Sequence, residues 1–125
     1  MELEVSTTMV DGIKVVRCRG RIKLGAESEA FERELAATGD RIQIVVNLEG
    51  VSNTDSSGVG AIARGLSSAR KTGGDLKLCC LSSQPRALLF LTQILSFAED
   101  FDTEAEAIAA FRPQEKGGTP EWQGS

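Results

Sequence analysis

The chain contains no histidine and no tyrosine, and it has only five phenylalanines, one tryptophan, three cysteines and three prolines. Without histidine, neither a Ser-His-Asp nor a Cys-His nucleophile system can be assembled within one subunit. Histidine-based zinc sites are excluded for the same reason. The odd number of cysteines argues against a disulfide framework and suits a reducing compartment. Cys79 and Cys80 lack the CxxC spacing of a redox or zinc site. Adjacent residues of a strand point to opposite faces, so both are expected as small buried hydrophobes. The longest apolar run, Ala87 to Leu91, is far too short to span a bilayer. A net charge of −4 with no Lys/Arg cluster argues against nucleic acid as a partner. Lys14, Arg17, Arg19, Arg21 and Lys23 do recur along one segment, and they read as the polar face of a strand. The opening Met1-Glu2-Leu3-Glu4 is acidic and alternating, unlike a signal peptide. The expected compartment is the cytoplasm. Every acidic cluster sits at a predicted helix start or on a solvated helix face, so no enzyme, cofactor or metal site is expected.

What remains is ordinary for a soluble globular domain: 125 residues, 26% charged and 41% hydrophobic. That length supports one domain with a core of its own. Leu3, Val5, Thr7 and Met9 alternate with polar residues, as do Ile13, Val15 and Cys18 beyond Asp11-Gly12. An Asp-Gly pair between alternating segments is a hairpin signal, so two antiparallel strands open the fold. Ala26 to Ala37 reads as a helix, with Phe31 and Leu35 on one face, Glu27 and Glu29 in the first turn, and Gly39 as its C-cap. Ile42 to Leu48 reads as a strand buried on both faces. Val59, Ile62, Ala63, Leu66 and Ala69 then recur at helical spacing, up to Arg70, Lys71 and the stop at Gly73-Gly74.

Asp75 to Leu81 is a further strand. Pro85 suits the first turn of a helix running to about Leu95. Leu88, Leu89, Phe90, Leu91, Ile94 and Leu95 give that helix more apolar surface than one buried face needs. Glu99-Asp100-Phe101 is ambiguous. Thr103 with Glu106 forms a capping box before a last short helix that Pro113 ends. Residues 1–112 are therefore expected as one α/β domain, a mixed sheet opened by an antiparallel hairpin and covered by about four helices. Residues 113–125, with the lone Trp122, have no periodicity and read as a disordered tail.

The most informative segment is Asn53-Thr54-Asp55-Ser56-Ser57-Gly58-Val59-Gly60, between the buried strand and its helix. Asp and Ser are preferred N-caps, so capping alone accounts for Asp55, Ser56 and Ser57. The glycines match neither GxGxxG nor GxxxxGK[ST]. Yet glycine in a first helical turn costs roughly 1 kcal/mol relative to alanine, and two of them leave the backbone bare beside two hydroxyls. The unpaired N–H groups there also favour anions.

Taken in order, these elements resemble the STAS family, specifically the bacterial anti-sigma factor antagonists. The likeness spans roughly residues 3–111. It rests on Asn47-Leu48-Glu49-Gly50-Val51, on Asp55-Ser56-Ser57-Gly58-Val59-Gly60, and on Gly73-Gly74-Asp75-Leu76-Lys77-Leu78. The resemblance implies a non-catalytic domain that binds an anti-sigma factor serine kinase and is released when that kinase phosphorylates Ser56, the serine directly after the Asp. Ser57 is the second choice. A metal-dependent serine phosphatase would restore the free form. Asp55, Ser56, Ser57, Gly58 and Val59 would meet the partner. Two positions depart from the family pattern. Asn53 and Thr54 replace apolar or aromatic residues, and Gly20-Arg21-Ile22-Lys23 replaces Gly-x-Leu-Asp. Lys23 is thus either a solvated lysine or a counter-charge for Asp55 or for a phosphate on Ser56. Other uses of the same fold stay open: a scaffold or stress-complex subunit, or an accessory subunit of a transport system.

Overall fold

The structure, a computed structural model, describes residues 2–111; the tail expected at residues 113–125 lies outside the described residues. Strands β1 (Leu3–Val10) and β2 (Ile13–Ile22) form the expected hairpin. Asp11 at φ 53° and Gly12 at φ 79° supply the two left-handed residues that a two-residue turn of matching twist requires. Helix α1 (Ala26–Glu34), β3 (Gln43–Thr54), α2 (Ser56–Lys71), β4 (Asp75–Cys79), α3 (Ser83–Leu91), a 3-10 turn at Ile94–Ser96, β5 (Asp100–Phe101) and α4 (Glu104–Ala109) follow. The sheet order is β1-β2-β3-β4-β5, antiparallel between β1 and β2 and parallel elsewhere.

This order decides where the helices lie. Each parallel strand is placed beside the one before it, always on the same side. Right-handed crossovers then put every connecting helix on one face. Phe31 and Leu35 from the α1 segment, Val59, Ile62 and Leu66 from α2, and Leu89 from α3 accordingly share one core with Val16, Ile44, Val46 and Leu78. Helix α4 follows the last strand and covers the opposite face, packing Ala107 and Ile108 on Ile13, Val15, Val45 and Cys79. Arg17 anchors it there: its Nε and Nη2 donate to the two Glu104 oxygens at 2.9 and 2.7 Å. Asn47 Nδ2 adds a third hydrogen bond to Glu104 at 2.9 Å. These hydrogen bonds, chiefly that from Arg17, hold the Glu104 carboxyl below the usual carboxylate range. The same face carries Arg19 opposite Glu4, and Arg17 opposite Ser6.

Several expectations are corrected. Strand β3 runs to Thr54 rather than Leu48, because its parallel pairing with β2 continues through two register shifts past Glu49 and Ser52. Of the recurring basic residues, Arg17, Arg19 and Arg21 share one face of β2; Lys14 has the opposite parity and Lys23 lies beyond the strand. Helix α3 stops at Leu91, since Gln93 takes a left-handed φ of 67°. Strand β4 stops at Cys79. Cys80, at φ 64°, breaks the alternation, so Cys79 and Cys80 pack into the same cluster rather than on opposite faces.

Candidate functional site

The junction between β3 and α2 lies at the carboxyl edge of the parallel strands, where open α/β sheets bind their ligands. Asp55 is the N-cap of α2, with extended backbone at φ −99° and ψ −172°. Its Oδ1 accepts the backbone N–H of Ser57 at 2.9 Å and also the Ser57 hydroxyl. Its Oδ2 accepts the backbone N–H of Leu24 at 2.9 Å, tying α2 to the loop after β2. The hydrogen bond from the Ser57 hydroxyl, joined by those from backbone N–H groups, holds the Asp55 carboxyl below its ordinary range.

The two serines are thereby separated. Ser57 is half-buried and its hydroxyl is spent on the cap. Ser56, the first residue of the helix, is exposed, and its hydroxyl has no hydrogen-bond partner among the described residues. Lys23 is exposed but does not pair with Asp55, whose two oxygens are already taken by Ser57 and Leu24. Beside it, Leu24 presents an apolar side chain that is 80% exposed. Gly58 and Val59 are buried and face the core, so they support the junction from beneath and offer a partner no side chain. A Cβ on Gly58 would stand 2.1 Å from Thr54 Oγ1 and 3.0 Å from Ile22 Cγ2. That glycine lets the helix start close against the strand. Gly60 carries no such constraint, since the nearest atoms to its Cβ position belong to the Arg64 guanidinium.

Sequence reasoning missed Gln84. Strand β4 ends before it can pair with the last residues of β3, and the Gln84 amide takes its place. Thr54 N donates to Gln84 Oε1, and Gln84 Nε2 donates to Thr54 O, both at 2.9 Å. Ser82 Oγ donates to Val51 O at 2.6 Å just upstream. Thr54 itself is 3% exposed and wedged beneath the helix start, which explains why a small polar residue stands there. A glutamine 30 residues away from its partner leaves no local signal.

The apolar surplus around α3 is real. Leu89 is buried, Leu88, Ile94 and Leu95 are half-buried, and Phe90, Leu91 and Phe97 are largely exposed. Phe97 and Ile94 border a shallow groove of about 610 Å³ against Ala63, Leu66 and Arg70 on the C-terminal half of α2, away from Ser56. Among the described residues no group of three or more Cys, Asp or Glu side chains is placed to hold a metal ion. No helix among them is long and apolar enough to cross a membrane.

No curated protein matches the sequence. Solved structures do resemble it. An anti-sigma factor antagonist from Mycobacterium paratuberculosis is 19% identical, with 89% of this chain and 95% of that one covered and a TM-score of 0.72. The Bacillus cell fate determinant SpoIIAA in its phosphorylated form is 24% identical, covers 87% and 100%, and gives 0.66. The murine anion transporter Slc26a9 is 16% identical, with 87% of this chain but 22% of the transporter covered, and gives 0.67. At these identities the likeness concerns the fold. The sequence profile of the STAS domain matches residues 4–107, and with the strand order and junction described above it makes this chain a member of the STAS domain family.

Proposed function

We propose that this protein is an anti-sigma factor antagonist that works by partner switching. Unmodified, it binds an anti-sigma factor serine kinase; phosphorylation of Ser56 releases it, and a serine phosphatase resets it. The domain catalyses nothing, and nucleotide and metal belong to its partners. The observation that carries this reading is the contrast between the two serines: the Ser56 hydroxyl is exposed and unbonded among the described residues, whereas the Ser57 hydroxyl is committed to Asp55. The contact face then comprises Asp55, Ser56, the rim of Ser57, Leu24 and Lys23. Structural likeness to an anti-sigma factor antagonist and to a protein solved in phosphorylated form supports the same reading.

The physics is consistent with a switch. A phosphate adds roughly −1.5 to −2 charge at a helix start. The helix dipole and first-turn N–H groups favour an anion there, so the fold tolerates it. A partner packed around a neutral hydroxyl does not. Misplaced charge in an interface costs several kcal/mol, and each ~1.4 kcal/mol is tenfold in affinity.

The test is intact-mass measurement after incubation with the cognate kinase and ATP. One phosphate is expected, absent in Ser56→Ala and present in Ser57→Ala. The opposite pattern would move the acceptor to Ser57. A second reading, an accessory subunit of an anion transporter, draws on the likeness to Slc26a9. It requires co-purification with a membrane carrier and indifference to Ser56→Asp, which the partner-switching reading excludes.

A further inference from the structure

Cys79 and Cys80 are adjacent, yet they do not behave as strand neighbours. Cys80 has a left-handed backbone at φ 64°. For a residue with a Cβ such a conformation is strained and persists only where its surroundings enforce it. Its result is that both side chains enter one cluster, with Val15, Val45 and Ile108. Burial, and after it a hydrogen bond with Cys80, raises the pKa of the Cys79 thiol. The two thiols also differ in access. Cys79 is fully buried, while Cys80 is half-buried and lines an open cleft of about 430 Å³ with Asn47, Glu49, Ser82 and Thr103. Partner switching at Ser56 uses neither sulfur.

We propose that Cys79 and Cys80 are a peroxide-responsive dithiol whose oxidation to a vicinal disulfide loosens the Thr54–Ser56 junction. Cys80 reacts first because it alone reaches solvent. Its thiolate sulfur attacks an oxygen of a hydroperoxide; the O–O bond breaks, an alcohol or water leaves, and Cys80 becomes a sulfenic acid. The Cys79 sulfur then attacks the Cys80 sulfur. The S–O bond breaks, and the departing hydroxide leaves as water with the Cys79 proton. Two thiols and one hydroperoxide thus give one disulfide, one alcohol (or water) and one water. Neighbouring Cα atoms lie about 3.8 Å apart, below the usual span of bridged cysteines of about 4.4–6.8 Å. The ring is therefore strained and easily reduced, which suits a reversible signal.

The route to the junction is short. Closing the ring requires new torsions at Cys80, which leads directly into Leu81, Ser82, Ser83 and Gln84. Ser82 holds Val51 O, and Gln84 holds both backbone groups of Thr54. The inference is independent of the partner-switching reading, because its readouts are thiol chemistry and backbone protection.

The test treats the full chain with hydrogen peroxide and follows intact mass, peptide mapping and amide hydrogen exchange. Expected is a loss of two hydrogens, reversed by dithiothreitol, mapped to residues 79–80 and unchanged in Cys18→Ala. Cys79→Ala should stop at a Cys80 sulfenic acid trapped by dimedone, and Cys80→Ser should show no change at residues 79–80, methionine oxidation being mapped separately. Exchange at residues 53–57 should become several-fold faster in the oxidised chain and stay unchanged in peroxide-treated Cys80→Ser. Oxygen addition at residues 79–80 without a disulfide in the parent chain would overturn the proposal. So would a bridge involving Cys18 or a second chain, no reaction under conditions that oxidise free cysteine, or unchanged exchange at 53–57 in the oxidised form.

Discussion

Gln84 holds Thr54 by both of its backbone groups, accepting from its N–H and donating to its carbonyl at 2.9 Å each. The side chain thereby substitutes for a missing strand at the one point where the sheet meets the exposed serine. Gln84→Glu keeps the shape but replaces the donor with a second acceptor facing Thr54 O. We expect a loss of about 1–3 kcal/mol, the cost of leaving a buried polar group unsatisfied. Urea denaturation checks the magnitude, and faster amide exchange confined first to residues 52–57 checks the location.

The two glycines of the α2 start should respond in opposite directions. Gly60→Ala meets only the Arg64 guanidinium, which has to give by a few tenths of an ångström while keeping its two hydrogen bonds to Glu32, and should stabilise the domain by up to about 1 kcal/mol through helix propensity. Gly58→Ala drives a methyl into Thr54 and Ile22, and overpacking of that kind costs about 1–3 kcal/mol. Paired thermal melts of the two variants give the sign directly.

Asp55→Asn tests the cap and its charge together. The folded-state pKa of Asp55 is lowered, so the ionised carboxylate contributes stability above its unfolded pKa of about 3.9, and that contribution is lost as pH falls through the lower folded value. The stability difference between parent and variant should be constant near neutrality and shrink only below about pH 4. A difference that vanishes already at pH 6 would mean that the carboxylate is not the group responsible. Asp55→Ala, which removes the acceptor altogether, should cost about 0.5–2 kcal/mol at pH 7.

Ser56→Ala and Ser56→Asp separate charge from structure. The cap belongs to Asp55, so the alanine variant should fold with stability close to the parent and retain partner binding. The aspartate variant adds charge beside Asp55 at a helix start that accepts anions, so it too should melt cooperatively. Its affinity for the anti-sigma kinase should fall at least tenfold, or about 1.4 kcal/mol. Calorimetric titration of both variants against the partner decides it, and equal affinities would remove the electrostatic switch.

Local chemistry made part of this fold legible. The hairpin is written in Asp11-Gly12 and flanking alternation, and the junction in a β-branched run followed by Asp55-Ser56-Ser57. The capping box of Thr103 and Glu106 is likewise visible and present, with Glu106 N donating to Thr103 Oγ1 at 3.1 Å. What stayed hidden depends on distant partners. The final stretch of β3 contains Glu49, Gly50, Ser52 and Asn53, which read as loop, and only parallel pairing with β2 makes it strand. Strand β5 is two residues long, too short for any periodicity. Lys77 sits in a strand at 6% exposure because Glu99, Asp75 and the Phe111 ring meet its ammonium, and of these only Asp75 belongs to its own strand. Which serine is free could not be read either, since it depends on the direction of the Ser57 hydroxyl.

The strand order carries a consequence for how the chain is made. Every strand pairs with the one synthesised immediately before it, from β1 through β5. No strand must wait for a pairing partner beyond the next strand in sequence, so the sheet can grow strand by strand as the chain emerges. The junction at Ser56 gains its clamp only when Gln84 has been added, which makes the proposed partner surface a late product of synthesis. A nascent chain stalled before α3 would own the serine without the support that presents it.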